Sequence, residues 1–133
     1  MSKDNKTGRV VWMDLTIDDA TAVSKFYNKV VGWDIQGFDM GGYEDYCMND
    51  PESGETLAGV CHAKGVNAGL PPQWIMYISV ENLDKSLAAV TAEGGKVMRD
   101  KRSDGKGGYY CLVQDPAGAY LTIWEKGSET ISG

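Results

Sequence analysis

The chain is poor in the residues that most often carry chemistry or cross-links. It has one histidine, His62, and three cysteines, Cys47, Cys61 and Cys111, in 133 residues. The cysteines are widely spaced and form no CxxC pair, which excludes zinc-knuckle and dithiol redox motifs and leaves free thiols as the expectation. No apolar run approaches the roughly 18–20 residues of a membrane-spanning helix, so no membrane partner is expected. The opening residues Met1-Ser2-Lys3-Asp4-Asn5-Lys6 are polar with no apolar segment behind them, which argues against a signal peptide and for a cytoplasmic location. Positive charge is short as well. Thirteen Lys and Arg against nineteen Asp and Glu give a net charge of −6, the wrong sign for nucleic acid or an anionic membrane surface.

What is present is an ordinary globular composition, 42% hydrophobic and 24% charged, with seventeen glycines, most of which fall between the predicted elements. It also contains an internal repeat. WMDLTIDDATAVSKFYNKVV from Trp12 and WIMYISVENLDKSLAAVTAE from Trp74 are each a short strand followed by an amphipathic helix. A shift of 63 positions lays Leu15-Thr16-Ile17-Asp18-Asp19 on Ile78-Ser79-Val80-Glu81-Asn82. The expected layout is one domain over 9–126, with repeat one at 9–62, a Gly/Pro-rich linker at 63–73 and repeat two at 74–126. Tails are expected at 1–8 and 127–133, the first of them disordered.

In repeat one, strand composition marks Val10–Ile17, Trp33–Phe38, Tyr43–Asn49 and Thr56–His62. Asp18 or Asp19 offers an N-cap to a helix over Asp19–Val31 whose apolar stripe is Val23, Phe26, Tyr27 and Val30, and Gly32 ends it. In repeat two the strands fall at Trp74–Val80, Lys96–Asp100, Tyr109–Gln114 and Ala119–Glu125. Asn82 caps a helix with Leu83, Leu87 and Val90 as its buried stripe, and Gly94-Gly95 closes it. Lys101–Gly108 reads as a polar loop. Two Asp-Pro turns, at Asp50-Pro51 and Asp115-Pro116, occupy matching places. The fold class is therefore α+β: two βαβββ repeats whose mixed sheet curls into a cup, with the helices outside.

Strand parity places Trp12, Asp14 and Thr16 on one face of the first strand and Met13, Leu15 and Ile17 on the other, against the helix. The same parity puts Tyr77, Tyr120 and Trp124 on the inward face. Aromatic walls suit a planar or apolar ligand, and equally a packed core. Asp14 beside an indole is a candidate general base with a raised pKa, or a structural carboxylate satisfied by a neighbour such as Thr16 or Tyr77. His62 is a rim histidine or a proton acceptor. Trp33 and Trp74 read as packing anchors, and the 101–108 loop as solvated or as a lid.

Three stretches carry a resemblance: Trp12–Val31 with Phe26-Tyr27 and Gly32-Trp33, Trp74–Gly95, and Asp115-Pro116-Ala117-Gly118 followed by Leu121–Glu125. Over Arg9 to Glu125 the chain resembles the vicinal oxygen chelate superfamily of glyoxalases, bleomycin-resistance proteins and extradiol dioxygenases, in its glyoxalase-like subgroup. The resemblance implies a concave ligand site and, in metal-dependent members, four ligands from the first and last strands of each repeat. The matching positions here are Trp12, Ala58 or Gly59, Ile75 and Thr122, none an ordinary ligand of such a site, and positions 11, 13, 76 and 123 are apolar too. The expectation is a protein without metal or cofactor that binds an aromatic or amphipathic small molecule through Trp12, Asp14, Ile75, Tyr77, Tyr120, Thr122 and Trp124. Whether it is an enzyme is open. The alternatives are a metal-dependent lyase, isomerase or dioxygenase using a rearranged set such as Asp14, His62 and Glu125, and a metal-independent enzyme with Asp14 as base and Tyr77 as proton donor. A further one is an interaction module. A homodimer is the expected assembly.

Overall fold

The Asp19 carboxylate accepts from the Ala22 amide at 3.0 Å and opens α1 (Ala20–Val31); Gly32 closes it, its amide bonded to the Asn28 carbonyl. Sixty-three residues on, Asn82 accepts from the Lys85 amide at 3.0 Å and opens α2 (Leu83–Ala92). These two helices and nine strands make up the mixed α+β fold of a computed structural model that describes residues 7–127. The tails expected at 1–8 and 127–133 lie outside the described residues except for 7, 8 and 127. The chain divides into two units, Trp12–Trp74 and Ile75–Gly133 with Met1–Val11.

In the first unit the strands are β1 (Val10–Ile17), β2 (Asp34–Asp39), β3 (Glu44–Asn49) and β4 (Thr56–His62), in the order β2-β3-β4-β1. β1 and β4 run parallel, with Asp14 opposite Gly59; β3 is antiparallel to β4, with Cys47 opposite Gly59. One face of this sheet carries the apolar core: Ala20, Met48 and Val60 are fully buried, packed by Ile17, Val23, Tyr27, Trp33, Tyr46 and Trp74. Tyr27, Trp33 and Trp74 form an aromatic trio, with Tyr27 stacked on Trp33 at 5.7 Å and Trp74 edge-on to Tyr27 at 5.3 Å. The Trp74 indole donates to the Tyr27 hydroxyl at 3.0 Å, so both tryptophans expected as packing anchors act as such.

The buried stripe of α1 differs from the expected one. Ala20 and Ser24 are buried and Val23 and Tyr27 pack beside them, whereas Phe26 and Val30 are 55% and 61% exposed. Small residues at i and i+4 let the helix lie close on the sheet, and the contact line passes through them rather than through the bulkier pair one position round.

In the second unit the strands are β5 (Trp74–Ser79), β6 (Lys96–Val97), β7 (Arg102–Ser103), β8 (Tyr109–Gln114) and β9 (Tyr120–Glu125). β5 pairs β9 in parallel, with Tyr77 opposite Thr122, and β8 pairs β9 antiparallel, with Leu112 opposite Thr122. Leu83, Cys111, Val113 and Ile123 form the core under α2, joined by Val80, Leu87, Val90 and Leu121. The Gly8 amide bonds the Ser79 carbonyl at 2.7 Å. The parallel pair Asp14–Gly59 recurs 63 positions on as Tyr77–Thr122, so the repeat read in the sequence is a repeat of register.

Two strands of this unit depart from expectation. The segment read as a loop at 101–108 contains β7, whose Arg102 and Ser103 face Tyr110 and Tyr109 of β8. The strand expected at Lys96–Asp100 is limited to Lys96–Val97. The second repeat therefore runs βαββββ.

Candidate functional site

The side of the first unit's sheet turned away from α1 carries one cross-strand row, Asp14 on β1, Gly59 on β4, Cys47 on β3 and Gln36 on β2. Trp12, two residues before Asp14, and Cys61, two after Gly59, share that side. The Trp12 indole N–H donates to Asp14 Oδ1 at 2.6 Å. That carboxylate lies directly over Gly59: a Cβ built there would sit 2.5 Å from Asp14 Oδ1 and 3.3 Å from the Trp12 ring. Glycine is thus what makes room for the pair. Burial, and then the charge of Asp14, raise the Cys47 thiol pKa; the Cys61 thiol is pushed far up by burial and by Asp14 and Asp45. Both stay protonated at neutral pH and are poor nucleophiles.

His62 ends β4 on the opposite side. The Glu44 carbonyl is 2.7 Å from Nδ1 and can only accept, so Nδ1 carries the proton and Nε2 keeps its lone pair in the neutral ring. The Asp45 carboxylate accepts from the His62 amide at 2.8 Å and stands 3.6 Å from Nδ1. The ring packs edge-on to Tyr43 at 5.6 Å.

The corresponding side of the second unit carries two rows. Tyr77, Thr122 and Leu112 form one; Ser79, Trp124, Tyr110 and Arg102 form the other, across β5, β9, β8 and β7. The Tyr77 and Tyr110 rings are 6.1 Å apart. The Trp124 indole donates to Asp104 Oδ2 at 2.9 Å, and that bond is the main reason the Asp104 carboxyl lies below the usual carboxylate range. Tyr77, Tyr120 and Trp124 are half-buried, while Ile75 and Thr122, at 3% exposure each, belong to the interior. Glu125 is engaged elsewhere, accepting from the Leu83 amide at the start of α2 at 2.7 Å.

A profile of the glyoxalase/bleomycin resistance protein/dioxygenase superfamily matches residues 9–123. The chain belongs to this superfamily. CFP32 of Mycobacterium tuberculosis, named as a candidate glyoxylase, is 33% identical over 125 residues, covering 90% of this chain and 46% of that protein. The anthracycline biosynthesis protein DnrV of Streptomyces peucetius is 25% identical over 135 residues, covering 90% of this chain and 48% of that protein. The chain thus spans about half the length of the curated relatives it matches. A solved superfamily member from Vibrio splendidus 12B01 shares the fold at a TM-score of 0.60 and 15% identity, covering 90% of this chain and all of that one.

The positions where metal-dependent superfamily members are expected to hold an ion do not fit one here. Trp12 has only an N–H, which Asp14 takes. Gly59 has no side chain, the Ala58 and Ile75 side chains are hydrocarbon, and Thr122 is a buried hydroxyl. Among the described residues no group of three or more His, Cys, Asp or Glu is placed to hold a metal ion. The rearranged alternative of Asp14, His62 and Glu125 is not assembled: His62 ends β4 on the side opposite Asp14, and Glu125 accepts from the Leu83 amide.

Several contributors escaped the sequence reading. Gly59, Cys47 and Cys61 surround Asp14 and were legible in principle from strand parity. Tyr110 was likewise legible from the parity of its strand, across from Trp124; Arg102 joins the aromatic face only because β7 exists, and Asp104 was hidden in what reads as a loop.

Proposed function

We propose that this chain is a small-molecule-binding member of the superfamily that works without a divalent ion at the four ligand positions. Its ligand is a planar aromatic or amphipathic molecule, taken by the face of the second unit that carries Tyr77, Tyr110 and Trp124. The observation that carries this reading is that the Tyr110 ring lies 6.1 Å from the Tyr77 ring and Tyr110 stands across the strand pair from Trp124, whose indole is held by Asp104. Ring faces stack on planar ligands and give affinity without demanding a charge. The name of DnrV, which places it in the biosynthesis of a polycyclic aromatic compound, supports the same ligand class. Tyr120 is assigned to ligand contact on the same face, with Ile75 and Thr122 as the layer beneath. Trp12 and Asp14 are assigned to ligand contact on the first unit. Three free thiols suit a reducing, cytoplasmic setting, and a homodimer is the proposed assembly.

The test is a fluorescence titration with the neutral dye N-phenyl-1-naphthylamine. Saturable one-to-one binding that weakens about tenfold in Trp124→Leu is the expected result, from the loss of one aromatic wall. No saturable binding, or stoichiometric zinc, nickel, iron or manganese in the purified protein, overturns the reading.

A further inference from the structure

The hairpin at 102–110 brings two charged side chains to the aromatic face, and their situations differ. Asp104 is saturated. Its Oδ2 accepts from the Trp124 indole at 2.9 Å, and its Oδ1 accepts from the Lys106 and Gly108 amides at 2.7 and 2.9 Å. The hairpin is closed by the Asp104 amide on the Gly108 carbonyl at 3.0 Å. Gly108 is packed so closely that an added Cβ would meet Asp104 Oδ2 and stand 2.5 Å from the Glu125 carbonyl. Asp104 therefore cannot turn away from Trp124 without opening the hairpin. Three N–H donors keep it ionised and offset its charge.

Arg102 is the opposite case. It stands directly across from Tyr110, which stands across from Trp124, so the three belong to one row on one face. It is half-buried. It makes no hydrogen bond or ion pair to any described residue, whereas the next cation along, Lys101, is taken by Asp84 at 2.9 Å. A guanidinium presents five N–H donors in a planar fork that matches a carboxylate, sulfonate or phosphate.

We propose that the ligand of this face is an aromatic anion, with its ring against Tyr110 and Trp124 and its acidic group on Arg102, and that Asp104 positions the Trp124 wall. This rests on the aromatic-ligand reading above and adds the charge of the ligand to it.

Two dyes that share a ring system separate the parts. N-phenyl-1-naphthylamine is neutral; 8-anilino-1-naphthalenesulfonate carries one sulfonate. The anionic dye is expected to bind the wild-type chain about tenfold more tightly, the worth of a charge-assisted bidentate contact. Arg102→Gln should remove that advantage while leaving the neutral dye within about twofold, the size of a lost surface charge. Asp104→Ala should weaken both dyes, and should expose the Trp124 indole N–H to fast solvent exchange in a 15N-edited NMR spectrum, its signal assigned by loss in Trp124→Phe. In a Trp124→Phe background, Asp104→Ala should add nothing to dye affinity. Equal affinity for the two dyes, or an anionic-dye affinity unmoved by Arg102→Gln, overturns the proposal and leaves aromatic binding standing. Failure of both dyes to bind overturns both. A Trp124 indole that stays protected in Asp104→Ala removes the positioning role.

Discussion

Gly59 shows how one residue decides what its neighbours do. At the position where the resemblance implies a metal ligand, the missing Cβ admits the Asp14 carboxylate and the Trp12 ring edge. Gly59→Ala is therefore expected to cost about 1–3 kcal/mol, the usual range for forcing extra volume into a packed site. Calorimetric melting is the measurement. In an Asp14→Ala background the same substitution should cost clearly less, because the oxygen it strikes is gone and only the looser approach to the Trp12 ring remains; equal costs in both backgrounds would refute the contact. The same geometry bears on Asp14 as a base. Its Oδ1 is occupied by an indole donor, so proton abstraction through that oxygen requires the tryptophan to let go.

At the scale of elements, local signals and structure agree closely where a side chain acts on its own backbone. Asp19 and Asn82 cap their helices from equivalent positions, and each Asp-Pro turn is tied by its aspartate, Asp50 to the Glu52 amide and Asp115 to the Ala117 amide, both at 2.8 Å. Asp19→Ala should lower stability by about 1 kcal/mol and Asn82→Ala by a similar amount, read from denaturant midpoints at unchanged slope. A loss below the error of the midpoint at either site would show that the cap is replaced by water. Agreement is poorer where an element depends on pairing. β7 is two residues long and consists of polar residues, with none of the apolar alternation that marks a strand. It is a strand because Tyr109 and Tyr110 offer it an edge.

For the whole molecule, the outward side of α1 presents apolar side chains to solvent. Phe26, Val30 and Val31 are each more than half exposed, and Phe38 and Met40 nearby in sequence are 45% and 49% exposed. Apolar side chains gathered this way mark association surfaces, and the curated relatives carry about as much chain again. The homodimer proposed above is expected to use this side. Sedimentation should give a dimer mass for the wild-type chain and a monomer mass for Phe26→Asp at the same helical content. A monomeric wild type at tens of micromolar, or a variant that stays dimeric, would remove this surface from the account.

The amino-acid sequence by itself determined the order of elements apart from β7, the 63-residue register, the helix caps, the turns, and within each unit the strand face that carries Trp12 and Asp14 or Tyr77 and Trp124. All of these follow from backbone chemistry and strand or helix period, which act over a few residues. Only the tertiary structure decided that Asp14 serves Trp12 over a glycine, that Phe26 and Val30 face outward, and that Asp104 and Arg102 belong to the aromatic face. Trp124 meets Asp104 from 20 residues away, and Trp74 meets Tyr27 from 47. Such partners are set by how strands pair and how closely a helix lies on its sheet, and those are outcomes of packing that no local pattern encodes.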